Sequence, residues 1–212
     1  MRNRVTPLGD IVAVPRRGAW LGNRGILHEG SDVVRFHASD LWIICALQYK
    51  DHQLPQWAPG RFTVLFFHDE AVALAAGHRP CALCRRDSYH AYRVAWAAGL
   101  GVDVPTASEI NRQLHRERIV RGTHRRRLHP LPWPEVPVGA FAQLDGQSML
   151  VLDDAVVPWS TQGYANRRSR PNTGQVDVIT PPSTMAALRA GYEPQTDPDA
   201  LSPAARDLRS AP

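Results

Sequence analysis

The chain has 212 residues, of which 25 are Lys or Arg and 20 are Asp or Glu, giving a formal charge of +5 at pH 7. Its hydrophobic content of 43% and charged content of 21% are typical of globular domains and exclude a disordered or fibrous chain. No apolar run approaches the roughly twenty residues that span a bilayer, and the first ten residues lack the apolar core of a secretory signal. We therefore expect a cytoplasmic bacterial protein without a membrane partner.

The first fifty residues predict a small antiparallel sheet. A short apolar run that Pro15 ends predicts a first strand at Asp10–Val14. The Gly- and Arg-rich stretch Arg16–Gly25 predicts a surface loop, although its glycines also suit a close approach to a ligand. Turn residues at 29–32 and 39–40 then separate three runs that predict an antiparallel meander. The strands of this meander are Gly25–His28, Val33–His37 and Leu41–Tyr49.

A short helix and a two-cysteine turn follow in the stretch Phe66–Arg86, FFHDEAVALAAGHRPCALCRR. Acidic residues open the predicted helix, and Gly77 stands where a helix can end in the left-handed conformation. Two thiolates at i and i+3 on a tight turn can bind one metal ion from the same side. Cys81 and Cys84 therefore indicate a zinc knuckle, which supplies half of a tetrahedral site.

The remaining zinc ligands are expected from the predicted meander. Folding about its two turns places His28 beside Val33, and Val33 beside Cys45. His28 and Cys45 would then share a row two strands apart, at about 10 Å. Cys45 is the one other sulfur available, although a free cysteine is also often a buried core residue. The expected ligands are thus Cys81, Cys84, Cys45 and His28, and the alternatives for the fourth ligand are His37, His52 and His68.

The stretch Phe66–Arg86 resembles the second half of the Ada-type metal-binding module, which occurs in a DNA alkylation-repair protein and in some nucleases. The shared pattern is an aromatic pair, a short helix with Glu-Ala near its start, Ala-Gly, and then Arg-Pro-Cys-x-x-Cys. The resemblance covers about twenty residues and implies a local zinc-binding fold. The matching residues are Phe66, Phe67, Glu70, Ala71, Ala76, Gly77, Arg79, Pro80, Cys81 and Cys84.

The chain departs from the Ada pattern upstream of this stretch. The Ada family has a further cysteine pair there, and one of its cysteines accepts a methyl group from a DNA phosphotriester. Here Cys45 is the only other cysteine, so the pair is absent and we do not expect methyl transfer. The chain as a whole is similar to a bacterial family from which no function carries over.

The second half predicts two helices and then a second meander. Helices are predicted at Asp87–Ala98 and Ala107–Val120, the latter opened by a capping box at Thr106 and Glu109. The proline-rich segment Leu128–Pro137 reads as a linker or crossover. The later predicted elements are strands at Gly139–Leu144, Gln147–Leu152, Ala155–Trp159 and Val176–Thr180, and a helix at Thr184–Ala190.

These elements predict the α+β class, with two small antiparallel β-meanders, intervening helices and a zinc knuckle. The expected divisions are a zinc-binding α+β domain (1–100), a basic helix and loop (101–130), a β-meander with a terminal helix (131–192) and a disordered tail (193–212).

The segment from Asn111 to Pro130 is the most basic in the chain. It holds seven arginines against the single acid Glu117, a local charge of seven minus one, or +6. Such a density can neutralise several phosphates, and arginine pairs bidentately with phosphate. A second arginine group lies in the loop Ser160–Gly174 and suits a small anionic ligand. The candidate nucleic-acid or phosphate contacts are Arg112, Arg116, Arg121, Arg125, Arg126, Arg127, Arg167 and Arg168.

The sequence supports three functions. The first is a zinc protein that associates with nucleic acid in binding, repair or processing. The second is a small-molecule metalloenzyme of unidentified reaction, in which zinc with three protein ligands would activate water. The third is thiol redox chemistry at Cys81 and Cys84, which the neighbouring arginines would favour. No motif identifies catalytic residues.

Overall fold

The computed structural model describes residues 1–50 and 55–202. The strands, in chain order, are β1 (Arg2–Val5), β2 (Ile11–Ala13), β3 (Trp20–Asn23), β4 (His28–Glu29), β5 (Asp32–Val33), β6 (Ile43–Cys45), β7 (Leu65–Phe67), β8 (Arg79–Pro80), β9 (His129–Pro132), β10 (Phe141–Leu144), β11 (Gln147–Val151), β12 (Ala155–Ser160), β13 (Gly163–Tyr164), β14 (Arg168–Ser169) and β15 (Gln175–Val178). The helices are α1 (Glu70–Ala75), α2 (Arg86–Leu100), α3 (Ala107–Arg118), α4 (Pro182–Arg189) and α5 (Pro198–Leu201), with a 3-10 turn at Trp133–Glu135. This combination of helices with largely antiparallel sheets confirms the α+β class.

A six-stranded mixed sheet is built from the first eighty residues, in the order β2-β1-β7-β3-β6-β8. β1 pairs in parallel with β7 and β6 pairs in parallel with β8, while the other neighbours are antiparallel. β6 therefore lies inside the sheet, and its central residue Ile44 is fully buried. β8 leads directly into the two-cysteine turn, so the sheet brings that turn to the end of β6.

The predicted first meander is only partly present. β4 and β5 form the predicted hairpin, with His28 opposite Val33. β6 does not continue that hairpin, because it pairs with β3 and β8 instead. The stretch Arg16–Gly25 was predicted as a surface loop, but part of it forms β3. Gly22 allows this strand to lie close to the neighbouring strand β7. A side chain there would lie 2.5 Å from the Phe67 ring, so only glycine lets β3 pack so closely.

The second meander is confirmed, because β10, β11 and β12 pair antiparallel in sequence. They belong to a larger sheet in the order β13-β12-β11-β10-β15-β9, with β14 also pairing with β12. The proline-rich segment is not a linker, since β9 forms the edge of this sheet beside β15. Pro130 and Pro132 are tolerated there because an edge strand leaves one row of amide positions unpaired.

Helix α1 is at the centre of the molecule. Every residue from Phe67 to Cys81 is buried, so this helix has no solvent-exposed face. One hydrophobic cluster joins it to both sheets and to α2, α3 and α4, and includes Val5, Leu74, Met149 and Leu188. The two halves of the chain thus share one core.

The predicted capping box at the start of α3 is also present.

Buried charges at the start of α1 fix the segment that follows α4. Arg85 donates to both carboxylate oxygens of Glu70, at 2.8 and 2.9 Å. The backbone amides of Gln195 and Asp197 donate to the side chains of Glu70 and Asp69, at 3.1 and 3.0 Å. The expectation of a disordered tail is therefore corrected for residues 193–202, and residues 203–212 lie outside the described part of the chain.

We expect Glu70→Ala to lower the free energy of unfolding by about 3–5 kcal/mol, because it leaves the Arg85 charge buried and unpaired. The capping change Thr106→Ala, at an exposed helix end, should cost about 1 kcal/mol. Denaturant unfolding of both variants measures the difference. Equal losses would contradict the central role of the Glu70–Arg85 pair.

Candidate metal centre

Three cysteine sulfurs gather where β6 and β8 end side by side. Among the described residues, the one group suited to hold a metal ion is Cys45, Cys81 and Cys84, whose sulfurs all lie within 4.8 Å of one another. The parallel ladder pairs Ile44 with Pro80, and the Cys81 amide donates to the Ile44 carbonyl at 2.9 Å. Cys45 and Cys81 are therefore neighbours on adjacent strands.

Backbone amides stabilise negative charge on these sulfurs. The amide of Leu83 donates to Cys81 Sγ and the amide of Ala46 donates to Cys84 Sγ, both at 3.4 Å. Hydrogen bonds from the thiols of Cys45 and Cys84 lower the pKa of Cys81, and the Cys81 contact raises the pKa of Cys45. These contacts favour the thiolate form at Cys81, and a metal ion would take the place of the thiol protons of the group.

The donor set fits zinc. Tetrahedral Zn²⁺ binds thiolate at about 2.3 Å, which places two ligating sulfurs about 3.8 Å apart. All three sulfurs lie within 4.8 Å of one another, which is near enough for one ion to contact them all. Soft thiolate donors also select zinc over oxygen-preferring ions such as Mg²⁺ or Ca²⁺. Cys45, Cys81 and Cys84 would hold the ion.

The structure does not bring His28 to the three sulfurs. Its Nδ1 shares a 2.7 Å hydrogen bond with Thr63, and its ring lies edge-on to Trp57. The predicted row from His28 to Cys45 fails because it assumed that β6 pairs with β5. The physical reason is that β6 gains two buried neighbours, β3 and β8, by joining the larger sheet.

The alternative fourth ligands also lie apart from this group where they are described. His37 packs against the Trp42 and His115 rings, at centroid distances of 5.8 and 5.2 Å. His68 lies between Trp159, which donates to its Nδ1 at 3.0 Å, and Asp197, 2.7 Å from its Nε2. His52 lies outside the described residues.

The predicted phosphate-binding arginines divide into two kinds. Arg126 faces the interior, where its guanidinium donates to the carbonyls of Ala75, Arg118 and Ile179. Arg167 is paired with Asp154 at 2.7 Å. The exposed members are Arg112, Arg116, Arg121, Arg125, Arg127 and Arg168.

A buried basic group that the sequence analysis missed surrounds Trp42. Arg24 and Arg118 lie with their guanidinium carbons 4.0 and 3.9 Å from the Trp42 ring centroid, and His78 lies 5.0 Å from it. Arg24 also donates to His78 Nε2 at 3.1 Å. The sequence signal was weak, because arginine is ordinarily a surface residue.

The fold and the site define an α+β protein with a three-cysteine candidate metal centre. Comparison with protein-family models, curated proteins and solved structures gave no match to this chain. The likeness to the Ada-type module therefore depends on the quoted residues alone. Within the described part of the chain, no helix is long and apolar enough to cross a membrane.

We expect Cys45→Ser, Cys81→Ser and Cys84→Ser each to lower zinc affinity by about 100-fold or more, because even outer-shell changes at zinc sites cost about 10- to 100-fold. His28→Gln should leave the affinity unchanged, since His28 bonds Thr63 instead. Competition with a colorimetric chelator measures all four. A loss with His28→Gln equal to that of the cysteine variants would contradict the three-sulfur assignment.

Proposed function

We propose that this chain is a zinc-binding protein that associates with nucleic acid, and that the zinc ion holds the fold at the Cys81/Cys84 knuckle. The observation that carries the proposal is the meeting of three sulfurs from two separate segments. Cys45 ends one strand, while Cys81 and Cys84 follow another. An ion bound by all three would cross-link these segments, as structural zinc does in small domains.

The knuckle is connected to the basic helix α3. Arg79, two residues before Cys81, donates through Nε to Asn111 Oδ1 at 2.8 Å, and both residues are buried. Asn111 directly precedes the exposed Arg112. Zinc at the knuckle would therefore hold the strand that positions α3, which supports a structural role for the ion.

Exposed arginines of α3 and the loop after it supply the proposed nucleic-acid surface. Arg112 and Arg116 are exposed on the helix, and Arg121, Arg125 and Arg127 are exposed on the loop. Arginine side chains that neutralise phosphates release counterions, so such binding is strongly salt-dependent. These arginines support contact with the phosphate backbone, which does not depend on base sequence.

A second candidate is a small-molecule metalloenzyme. This function is favoured by the number of ligands, because the described residues supply three sulfurs to the candidate metal site. Catalytic zinc sites commonly have three protein ligands and one position open to water. The bound ion would supply an activated water molecule.

We expect protein purified without added metal to contain about one zinc ion per chain, because thiolate sites of this type bind zinc tightly. Elemental analysis gives the stoichiometry, and zinc-edge X-ray absorption counts sulfur neighbours. Three sulfurs with one exchangeable oxygen would favour the enzyme, while three sulfurs with one protein nitrogen would favour a structural ion. Metal-free protein with reactive cysteines would favour thiol redox chemistry instead.

We expect Arg121→Gln/Arg125→Gln/Arg127→Gln to weaken nucleic-acid binding. The slope of log affinity against log salt concentration should decrease in magnitude by about 2 to 3, since each phosphate contact contributes about 0.7 to 0.9 to it. Fluorescence anisotropy with DNA and RNA oligonucleotides measures the slope.

A matched control is Arg35→Gln/Arg61→Gln/Arg189→Gln, which removes three exposed charges elsewhere. It should change the slope little. Equal effects of the two triple variants would contradict a localised surface and indicate attraction by net charge alone.

A further inference from the structure

Three guanidinium groups lie together inside the protein. Arg24 is 0% exposed and Arg118 is 1% exposed, and Arg126 Nε is also inaccessible. Arg126 Nη1 donates to the Arg118 carbonyl at 3.2 Å. Both side chains pack against Gly77, where an added Cβ would meet Arg118 Cδ at 2.7 Å and Arg126 Nη1 at 3.0 Å. We call Arg24, Arg118, Arg126 and the neighbouring His78 the arginine cluster.

Among the described residues the cluster has no paired carboxylate, although the charges of Asp10 and Asp40 act favourably on Arg24 and Arg118. Within residues 1–50 and 55–202, none of its three arginines forms an ion pair. Glu117 is the acid whose charge favours the charged form of Arg126. Its carboxylate already accepts hydrogen bonds from Ser183 and Gln113. A buried guanidinium without a counter-charge is rare, since buried charges are ordinarily paired.

The cluster also contains unsatisfied hydrogen-bonding atoms. Four buried side-chain atoms of the described residues have no partner, and all four belong to the cluster: Arg24 Nη2, His78 Nδ1, Arg118 Nε and Arg126 Nε. Stacking on Trp42 offsets part of the charge but supplies no acceptor for N–H groups. Concentrated unsatisfied donors point to a missing acceptor.

Three histidines lie between the cluster and solvent. The His37 ring centroid lies 5.2 Å from that of His115 and 6.1 Å from that of His124, and Arg118 Nη2 lies 3.0 Å from His115 Nδ1. His37 and His115 are half-buried and His124 is exposed. Burial, with His115 and Arg118 next, lowers the pKa of His37 to about 4, so this ring is neutral at pH 7.

We propose that the arginine cluster binds one phosphate-class oxyanion, which enters past His37, His115 and His124 and accepts hydrogen bonds from His37 and His124. The positive field opposes a metal cation at these histidines, although their rings are close together. A tetrahedral oxyanion instead supplies negative charge and several acceptors, which guanidinium groups recognise well. The site is separate from the exposed arginines of the proposed nucleic-acid surface.

The test uses the full-length zinc-loaded protein labelled with ¹⁵N. Titration with potassium phosphate, against potassium chloride at equal ionic strength, is followed by the arginine Nε–Hε resonances. We expect saturable shifts of Arg24, Arg118 and Arg126, with small shifts of the exposed Arg112. Equal shifts of all arginines, or none beyond those in chloride, would overturn the proposal, the latter leaving ordered water as the acceptor.

Surface variants avoid disturbing the core. His37→Gln/His124→Gln should raise the Kd for phosphate about tenfold or more, because a hydrogen bond to a charged group contributes about one to two decades of affinity. His90→Gln, an exposed histidine on α2, is the matched control and should leave the Kd unchanged. Equal Kd values for both variants would contradict a contact between these histidines and the anion.

The source of the phosphate group is distinguished by oligonucleotides. Shifts with a 5′-phosphorylated strand and not with its 5′-hydroxyl counterpart would identify a phosphate monoester. Shifts with both would identify the backbone, and shifts with inorganic phosphate alone would identify a small molecule. Arg121→Gln/Arg125→Gln/Arg127→Gln should retain the phosphate shifts, so this proposal can fail or hold independently of the nucleic-acid surface.

Discussion

The parallel pairing of β6 with β8 is the constraint on which the candidate metal centre depends. It places Cys45 and Cys81 on adjacent strands, which lie about 4.8 Å apart in a sheet, and the following turn returns Cys84 to the same point. Backbone hydrogen bonds and the burial of Ile44 bring the two segments together. An ion bound by all three sulfurs would add to this stability by mass action.

The residues that carry the Ada-like pattern have packing roles that do not require a metal. Glu70 accepts two hydrogen bonds from Arg85, and Arg79 bonds Asn111 of α3. Gly77 adopts φ +82 and lies against Arg118, where any side chain would collide. The motif is therefore a set of constraints for burying a short helix between two sheets.

Local patterns predicted the elements well and long-range pairing poorly. The alternation of β10 to β12, the capping box of α3 and the sulfurs of the knuckle are set by residues close in sequence. The partners of β6 are not, because β3 comes from a Gly- and Arg-rich stretch without strand propensity. His28 was assigned to the metal through that missing pairing. Arg126 was grouped with the exposed arginines because composition cannot distinguish an exposed guanidinium from an inward-facing one that bonds three carbonyls.

The basic segment thus divides its charge between the surface and the interior. Arg118 and Arg126 point inward toward Arg24, while Arg121, Arg125 and Arg127 stay in solvent. Burial lowers the pKa of Arg24 and of Arg118 well below the ordinary value, because a charged group loses its hydration in the core. Apolar side chains of similar size would fill the same space without that cost. Arg24 and Arg118 stack on Trp42, and Arg126 lies near enough to act on both; an anion bound by this cluster, as proposed above, would offset that cost.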